Sequence, residues 1–474
     1  MRRLVGFGVL FLLVGVLTVF AQGDQPGAPG MGDSLYPGFG NGGYDVQHYT
    51  LNLSIEPKTG EITGDTLIDA AATEDLSSFN LDLIGLDVSA VTVDGQAAAF
   101  ARDGQELTIT PAQPLASGAA FTVEVRYAGV PEAMTSVAIP VPTGWVAYDG
   151  DGCPCSFVIS EPDGAANFYP VNDHPLDKAT YTLIVTVPKP YNVALNGVVI
   201  GVVDNGDTTT TTSEVNAPMA SYLTMIDVSQ FDLVTEPGTA GGVPIRNYFE
   251  VGVDDATRAL FDRQDEMMAY YESLFGAYPF DVYGAVMLNI ETGTALETQT
   301  LSIFGTDTVS TDNSESEVTI AHELAHQWFG DSVSVGDWSD IWLNESFATY
   351  AEALWIEHDE GSDGLESWVS DVYDYVASDD TIVPPGKPHA DDLFNDGVYY
   401  RGALALHALR LTVGDEAFFK ILQTWYEQHK DGNARTADFI ALAEQVSGQD
   451  LGDLFDGWLY APAVPPIPEM GLGT

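Results

Sequence analysis

A chain of 474 residues exceeds one compact domain and suits two or three of ordinary size. Hydrophobic residues make up 45% of it and aromatics 11%, enough for real cores, so global disorder and a collagen-like or repeat-only chain are excluded. Sixteen Lys and Arg against 70 Asp and Glu leave a net charge of −54; such a surface repels phosphate backbones, which speaks against nucleic-acid binding, and reads as the solvated acidic shell of an extracellular or salt-exposed protein.

The N-terminus runs Met1-Arg2-Arg3, then apolar from Leu4 to Phe20, then Ala21-Gln22-Gly23. A short basic start, an apolar stretch and small residues near Val19 and Ala21 are the parts of a secretory signal peptide over 1–21, so the protein is expected outside the cytoplasm, secreted or at the cell surface. An uncleaved anchor is the alternative, at the short end for a span. No later segment is apolar enough to cross a bilayer, so stable membrane insertion is not expected once the signal is removed. Residues 22–43 are crowded with Gly, Pro and Asp and read as a flexible linker.

From 44 to 247 the pattern is short, alternating and β-rich, as in His48-Tyr49-Thr50-Leu51-Asn52-Leu53-Ser54-Ile55, Phe121–Val125 and Tyr181–Val187. Turn signals at Asp94-Gly95 and Asn196-Gly197 separate such runs, which predicts an antiparallel β sandwich or saddle. The two cysteines flank Pro154 as Cys153 and Cys155. They exclude a disulfide framework and cannot complete a structural zinc site; a strained local disulfide and two plain thiols both stay open. From 248 to 460 the period becomes helical, over Asp254–Leu274 and around Ile320, Phe347, Leu404 and Phe419. Residues 461–474 are Pro-rich and read as an extended tail.

The helical part holds His322-Glu323-Leu324-Ala325-His326. Residues four apart stack on one helical face, so His322 and His326 can present two imidazole nitrogens to one metal. Glu323 points about 100° round the helix, badly placed to ligate but well placed to reach a water on the metal. A hydrolytic zinc needs a third protein ligand and an open fourth position. Glu345, 19 residues beyond His326, opens a second helical pattern among Trp342, Leu343 and Phe347. Those neighbours predict burial, where an unpaired carboxylate is costly and a metal relieves the cost.

With its flanks Gln327-Trp328-Phe329-Gly330 and Trp338–Ala348, and with Glu161–Pro170 and Asp173–Pro175 upstream, this pattern resembles the aminopeptidase N family of zinc metallopeptidases. That family includes the bifunctional leukotriene hydrolases and belongs with thermolysin to the gluzincin clan. The resemblance implies a thermolysin-like catalytic domain, one Zn2+ per chain, and peptide substrates with a free N-terminus. It gives Tyr399, in Tyr399-Tyr400-Arg401-Gly402, the role of steadying the tetrahedral intermediate. It also makes Glu161 and Glu297 the carboxylates that hold the substrate's ammonium group. Thr294, Leu296 and Thr298 stand where the family has Gly, Met and Asn. Asp340 is read as orienting a histidine ligand. His174, His358, His389 and His407 are not assigned to the metal, and the glycosylation pattern at Asn344-Glu345-Ser346 is read as accidental.

Larger relatives carry a helical C-terminal domain over the site. This chain runs only 75 residues past Tyr399, so the expectation is a short form with a more open cleft. The function read from all this is a secreted zinc aminopeptidase. An endopeptidase with an open cleft, and a zinc-bearing binding module without catalysis, are the alternatives.

Overall fold

The computed structural model describes residues 25–150, 153–238 and 242–473; the segment read as a signal peptide lies outside them. Among the described residues no helix is long and apolar enough to cross a membrane.

The N-terminal part is built on an eight-stranded sheet. Its spatial order is Val198–Asp204, Thr208–Met219, Ala179–Pro188, Tyr44–Glu56, Glu61–Ala72, Ala120–Gly129, Asp87–Val93 and Gln96–Ala97. Alternation places it: Tyr49, Leu51, Leu53 and Ile55 are buried, while Asn52, Ser54 and Glu56 between them face solvent. The neighbouring strand repeats this with Tyr181, Leu183, Val185 and Val187. Antiparallel pairing holds throughout except at the centre, where Tyr44–Glu56 and Ala179–Pro188 run parallel. A parallel neighbour needs a long return path, and the intervening chain supplies one by building most of a second, five-stranded sheet and a three-stranded one. In the five-stranded sheet Cys153–Ile159 lies between Ile226–Ser229 and Pro142–Gly150, and its C-terminal end delivers Glu161.

The C-terminal part starts with a four-stranded sheet, Phe231–Glu236, Ile245–Glu250, Tyr283–Met287 and Ser302–Phe304, antiparallel at the first pair and parallel after it. A division at 247/248 therefore falls inside a strand. Seven longer helices follow or flank it: α1 (Gln264–Phe275), α2 (Ser316–Ala325), α3 (Trp342–Glu360), α4 (Ser362–Ser378), α5 (Gly402–Val413), α6 (Asp415–His429) and α7 (Thr436–Ser447). The helical stretches read from period correspond to α1, α2, α3, α5 and α6. Helix α2 is sunk in the core, with Ile320, Ala321, Leu324 and Ala325 fully buried, so the metal-ligand pattern sits on a rigid element rather than a surface loop.

Two readings at the ends are corrected. The segment read as a flexible linker is, from Gln25 onward, pinned to both parts of the molecule. The buried Asp33 carboxylate accepts from the N–H groups of Tyr36 and Trp338 and faces His174 at 3.3 Å. Ser34 Oγ donates to Asp337 at 2.6 Å, and Tyr36 OH to the carbonyl of Ala390 at 2.7 Å. Its glycines serve close approach: at Gly40, with φ +62°, a Cβ would stand 2.7 Å from that of His174. Composition averages over the few polar anchors that decide this. At the other end the Pro-rich tail is not free: Ile467 is buried, and the carbonyls of Ala461, Pro462 and Ala463 accept from the Arg401 guanidinium.

Candidate metal centre and active-site cleft

Helix α2 presents His322 one turn before His326, which ends it, and α3 brings Glu345 from its first turn. The two Nε2 atoms stand 3.0 Å apart, and Glu345 Oε2 lies 3.5 Å from the first and 3.4 Å from the second. The other ring nitrogens are engaged. His322 Nδ1 lies 2.6 Å from Glu352 Oε1, and His326 Nδ1 lies 3.0 Å from the carbonyl of Phe329. If each Nδ1 donates to its acceptor, both Nε2 atoms turn bare lone pairs toward each other and toward a carboxylate. Three acceptors packed that closely in a buried site call for a cation. Ligand atoms about 2.05 Å from a tetrahedral zinc stand about 3.3 Å apart, which is the size of this triangle.

The electrostatics follow from burial and mutual charge. Burial pushes Glu323 up to about 8 against the pull of His322 and His326. For Glu345 burial also acts upward, but His326 and His322 outweigh it and hold the carboxyl at about 2. Burial, with Glu297, Glu345 and Glu323 nearby, raises Glu161 well above the usual carboxylate range. A divalent cation among these groups favours every carboxylate's charged form.

The proposed substrate carboxylates converge here. One oxygen each of Glu161, Glu297 and Glu345 lie within 4.8 Å of one another, as do ligand atoms of Glu297, Glu323 and His326. Glu161 and Glu297 are buried, and Oε1 of each has no hydrogen-bond partner among the described residues. Gln327 sets the register of the Glu297 loop: its Nε2 donates to the Glu297 carbonyl at 2.9 Å and its Oε1 accepts from the Thr300 N–H at 2.8 Å. Thr298 takes no part in the cleft, because its hydroxyl donates back to the carbonyl of Leu301.

Tyr399 sits in a π-helical turn, Gly397–Arg401, that runs directly into α5, and its ring stacks on His322 with centroids 6.1 Å apart. Two contacts fix that turn. Ser346, next to Glu345, donates to the carbonyl of Val398, and a Cβ at Gly402 would fall 1.7 Å from Ser346 Oγ. Arg401, fully buried, donates to the carbonyls of Trp458 at 2.9 Å and Gly457 at 3.1 Å besides those of the tail. Tyr400 packs edge-on against Tyr375 farther along the same cleft.

Asp340 is elsewhere, which corrects its reading as a histidine-orienting group. Its carboxylate accepts from the hydroxyl of Thr436 at 2.6 Å and from that residue's N–H, holding the start of α7. The group that does orient His322 is Glu352, two helical turns after Glu345 and on the same face of α3. That i+7 spacing was the available signal. Replacing Glu352 with alanine is expected to weaken zinc binding about 10–100-fold with the fold intact, read by chelator competition; unaltered affinity would rule this role out. His174, His358 and His407 have their partners away from the triad, at Asp33, Glu266 and Tyr350. Asn344 is fully buried, so the glycosylation pattern there is inaccessible.

The metal-ligand triad, Glu161, Glu297, Glu323 and Tyr399 line a cavity of about 850 Å³ that continues past the metal ligands between α2, α3 and α4, along Val318, Ile356, Trp368 and Tyr375. Residues 45–223 match the Peptidase M1 N-terminal domain and 259–458 the Peptidase family M1 domain. Human glutamyl aminopeptidase is 29% identical over 340 residues, 66% of this chain and 34% of that protein; aminopeptidase N of Streptomyces lividans is 30% identical over 309 residues, 60% and 36%. The chain thus spans about a third of the length of these curated relatives. A mutant M1 zinc metallopeptidase from Deinococcus radiodurans, solved with a Tyr-Ser-Ala substrate, superposes with a TM-score of 0.84 at 33% identity, over 93% of this chain and 99% of that one. The chain belongs to peptidase family M1, the zinc metallopeptidases. Its metal is zinc.

Proposed function

We propose that this protein is a secreted aminopeptidase that removes N-terminal residues from peptides. The observation that carries the reading is the pair of buried carboxylates, Glu161 and Glu297, each with an unengaged oxygen beside the metal-ligand triad. Such a pair neutralises an α-ammonium group and fixes its distance from the ligands, so the first peptide bond is the one presented. The Tyr-Ser-Ala substrate bound by the Deinococcus radiodurans relative supports it. Secretion is supported by the pattern at the N-terminus.

His322, His326 and Glu345 would hold the zinc, which when bound polarises a carbonyl and acidifies a water molecule. Glu323 takes the proton of the attacking water and returns it to the departing amine. Tyr399 donates to the oxygen that gains charge. Trp368, Tyr375 and Val318 line the stretch of cavity that receives the rest of the peptide and displaces its water.

The test pairs each free peptide with its N-acetylated form. Acetylation removes the charge that Glu161 and Glu297 hold and is expected to lower kcat/KM by about 10²-fold or more, as for an unpaired buried charge. Equal cleavage of both forms would favour the endopeptidase reading, and zinc-loaded protein inert on every peptide the binding module.

A further inference from the structure

Outside the catalytic cleft, Cys153 and Cys155 project from one face of the strand Cys153–Ile159, as residues two apart must, with their sulfurs 3.0 Å apart. Both are free thiols. Cys153 is partly exposed and accepts from Gln230 Nε2 at 3.2 Å. Cys155 is buried, and Ser229 Oγ stands 3.2 Å from its sulfur and 2.6 Å from Glu250 Oε1. Cys153 is thus the more exposed of the two, while the Cys155 sulfur touches a hydroxyl that leads to a buried carboxylate. Pro154, between them, pairs with Asp149 on one side, whereas the neighbour on the other side, Ile226–Ser229, joins only from Ser156. The triplet's backbone is therefore paired as strand along one edge only, while the side chains of Ser229 and Gln230 meet its sulfurs.

We propose that Cys153 and Cys155 form a reversible dithiol–disulfide centre that exchanges with small disulfides such as glutathione disulfide. The Cys153 thiolate attacks one sulfur of the small disulfide, forming a mixed disulfide and releasing one thiolate. Cys155, whose sulfur accepts from the Ser229 hydroxyl, loses its proton to the departing thiolate, attacks the Cys153 sulfur and displaces the second small thiol. Two protein S–H groups are oxidised and one small disulfide is reduced to two thiols. Burial pushes the Cys155 thiol up to about 12, which suits the resolving rather than the attacking role.

Reversibility follows from strand geometry. Residues two apart on a strand have Cα atoms about 6.7 Å apart, at the far edge of the range disulfides span, so closing the bond draws the strand in. The ring closed is only three residues long and gains little from restricting the unfolded chain. A strained, partly exposed disulfide is the labile kind.

The test equilibrates the full chain in glutathione buffers from fully reduced to fully oxidised and reads free thiols and intact mass. Wild type is expected to lose both thiols together, become lighter by two hydrogens without a glutathione adduct, and regain both on reduction. Cys155→Ser should instead carry one glutathione. Persistence of both thiols in the most oxidising buffer overturns the proposal. So does a stable glutathione adduct on wild type, or a disulfide that survives the most reducing one.

Discussion

Glu323→Gln is expected to keep one zinc per chain and to lower kcat by about 10²–10⁴. Glutamine preserves the shape and the burial of the site, and His322, His326 and Glu345 are untouched, so metal content measured on the purified variant should match wild type. What is lost is an oxygen that can take a proton from water and later give it up. Burial and the surrounding carboxylates already push this group up to about 8 in the chain by itself, and the zinc's charge works in the opposite direction. Equal turnover by variant and wild type, with equal zinc, would remove Glu323 from the mechanism.

Tyr399→Phe is expected to lower kcat by about 10²–10³ while changing KM little, since the lost hydroxyl serves charge that exists only near the transition state. Burial, with Glu345, Glu161 and Glu297 nearby, raises this hydroxyl well above the usual tyrosine value. It therefore stays protonated and able to donate through neutral and mildly alkaline pH. Steady-state kinetics on a free dipeptide reporter decide the matter: a change confined to KM would recast Tyr399 as a wall of the cleft. The position of the ring rests on Arg401, whose charge is met by carbonyls of Gly457, Trp458 and the following segment. Arg401→Met is accordingly expected to lower kcat more than it raises KM, with Lys restoring part of the loss, measured on the same reporter.

Much of the site was legible because its logic is local. Two histidines four apart on an apolar helix, with a carboxylate opening the next apolar helix, describe a metal triad before any coordinates are known. Turn of helix and distance along the chain are sufficient there. Glu161, Glu297 and Tyr399 came from the resemblance alone, since nothing in their own surroundings marks them. Asp340 was misread for the complementary reason: it is close to Glu345 in sequence, but the 3-10 turn Trp338–Asp340 aims it at Thr436 instead of at a histidine.

The segment 25–43 shows the same divide. Gly and Pro content describes what a chain does when nothing holds it, and here Asp33, Ser34 and Tyr36 meet partners some 300 residues away. In the amino-acid order alone lie the identity of the metal ligands, the base beside them and the change from β to helical period, because each depends on neighbours within a few turns or strands. Only the packed molecule decided that Glu352 orients His322, that Gln327 holds the Glu297 loop and that the last residues brace Tyr399. Those contacts join groups far apart along the chain: the i+7 spacing puts Glu352 on the same face of α3 as Glu345, but only packing brings that face to His322.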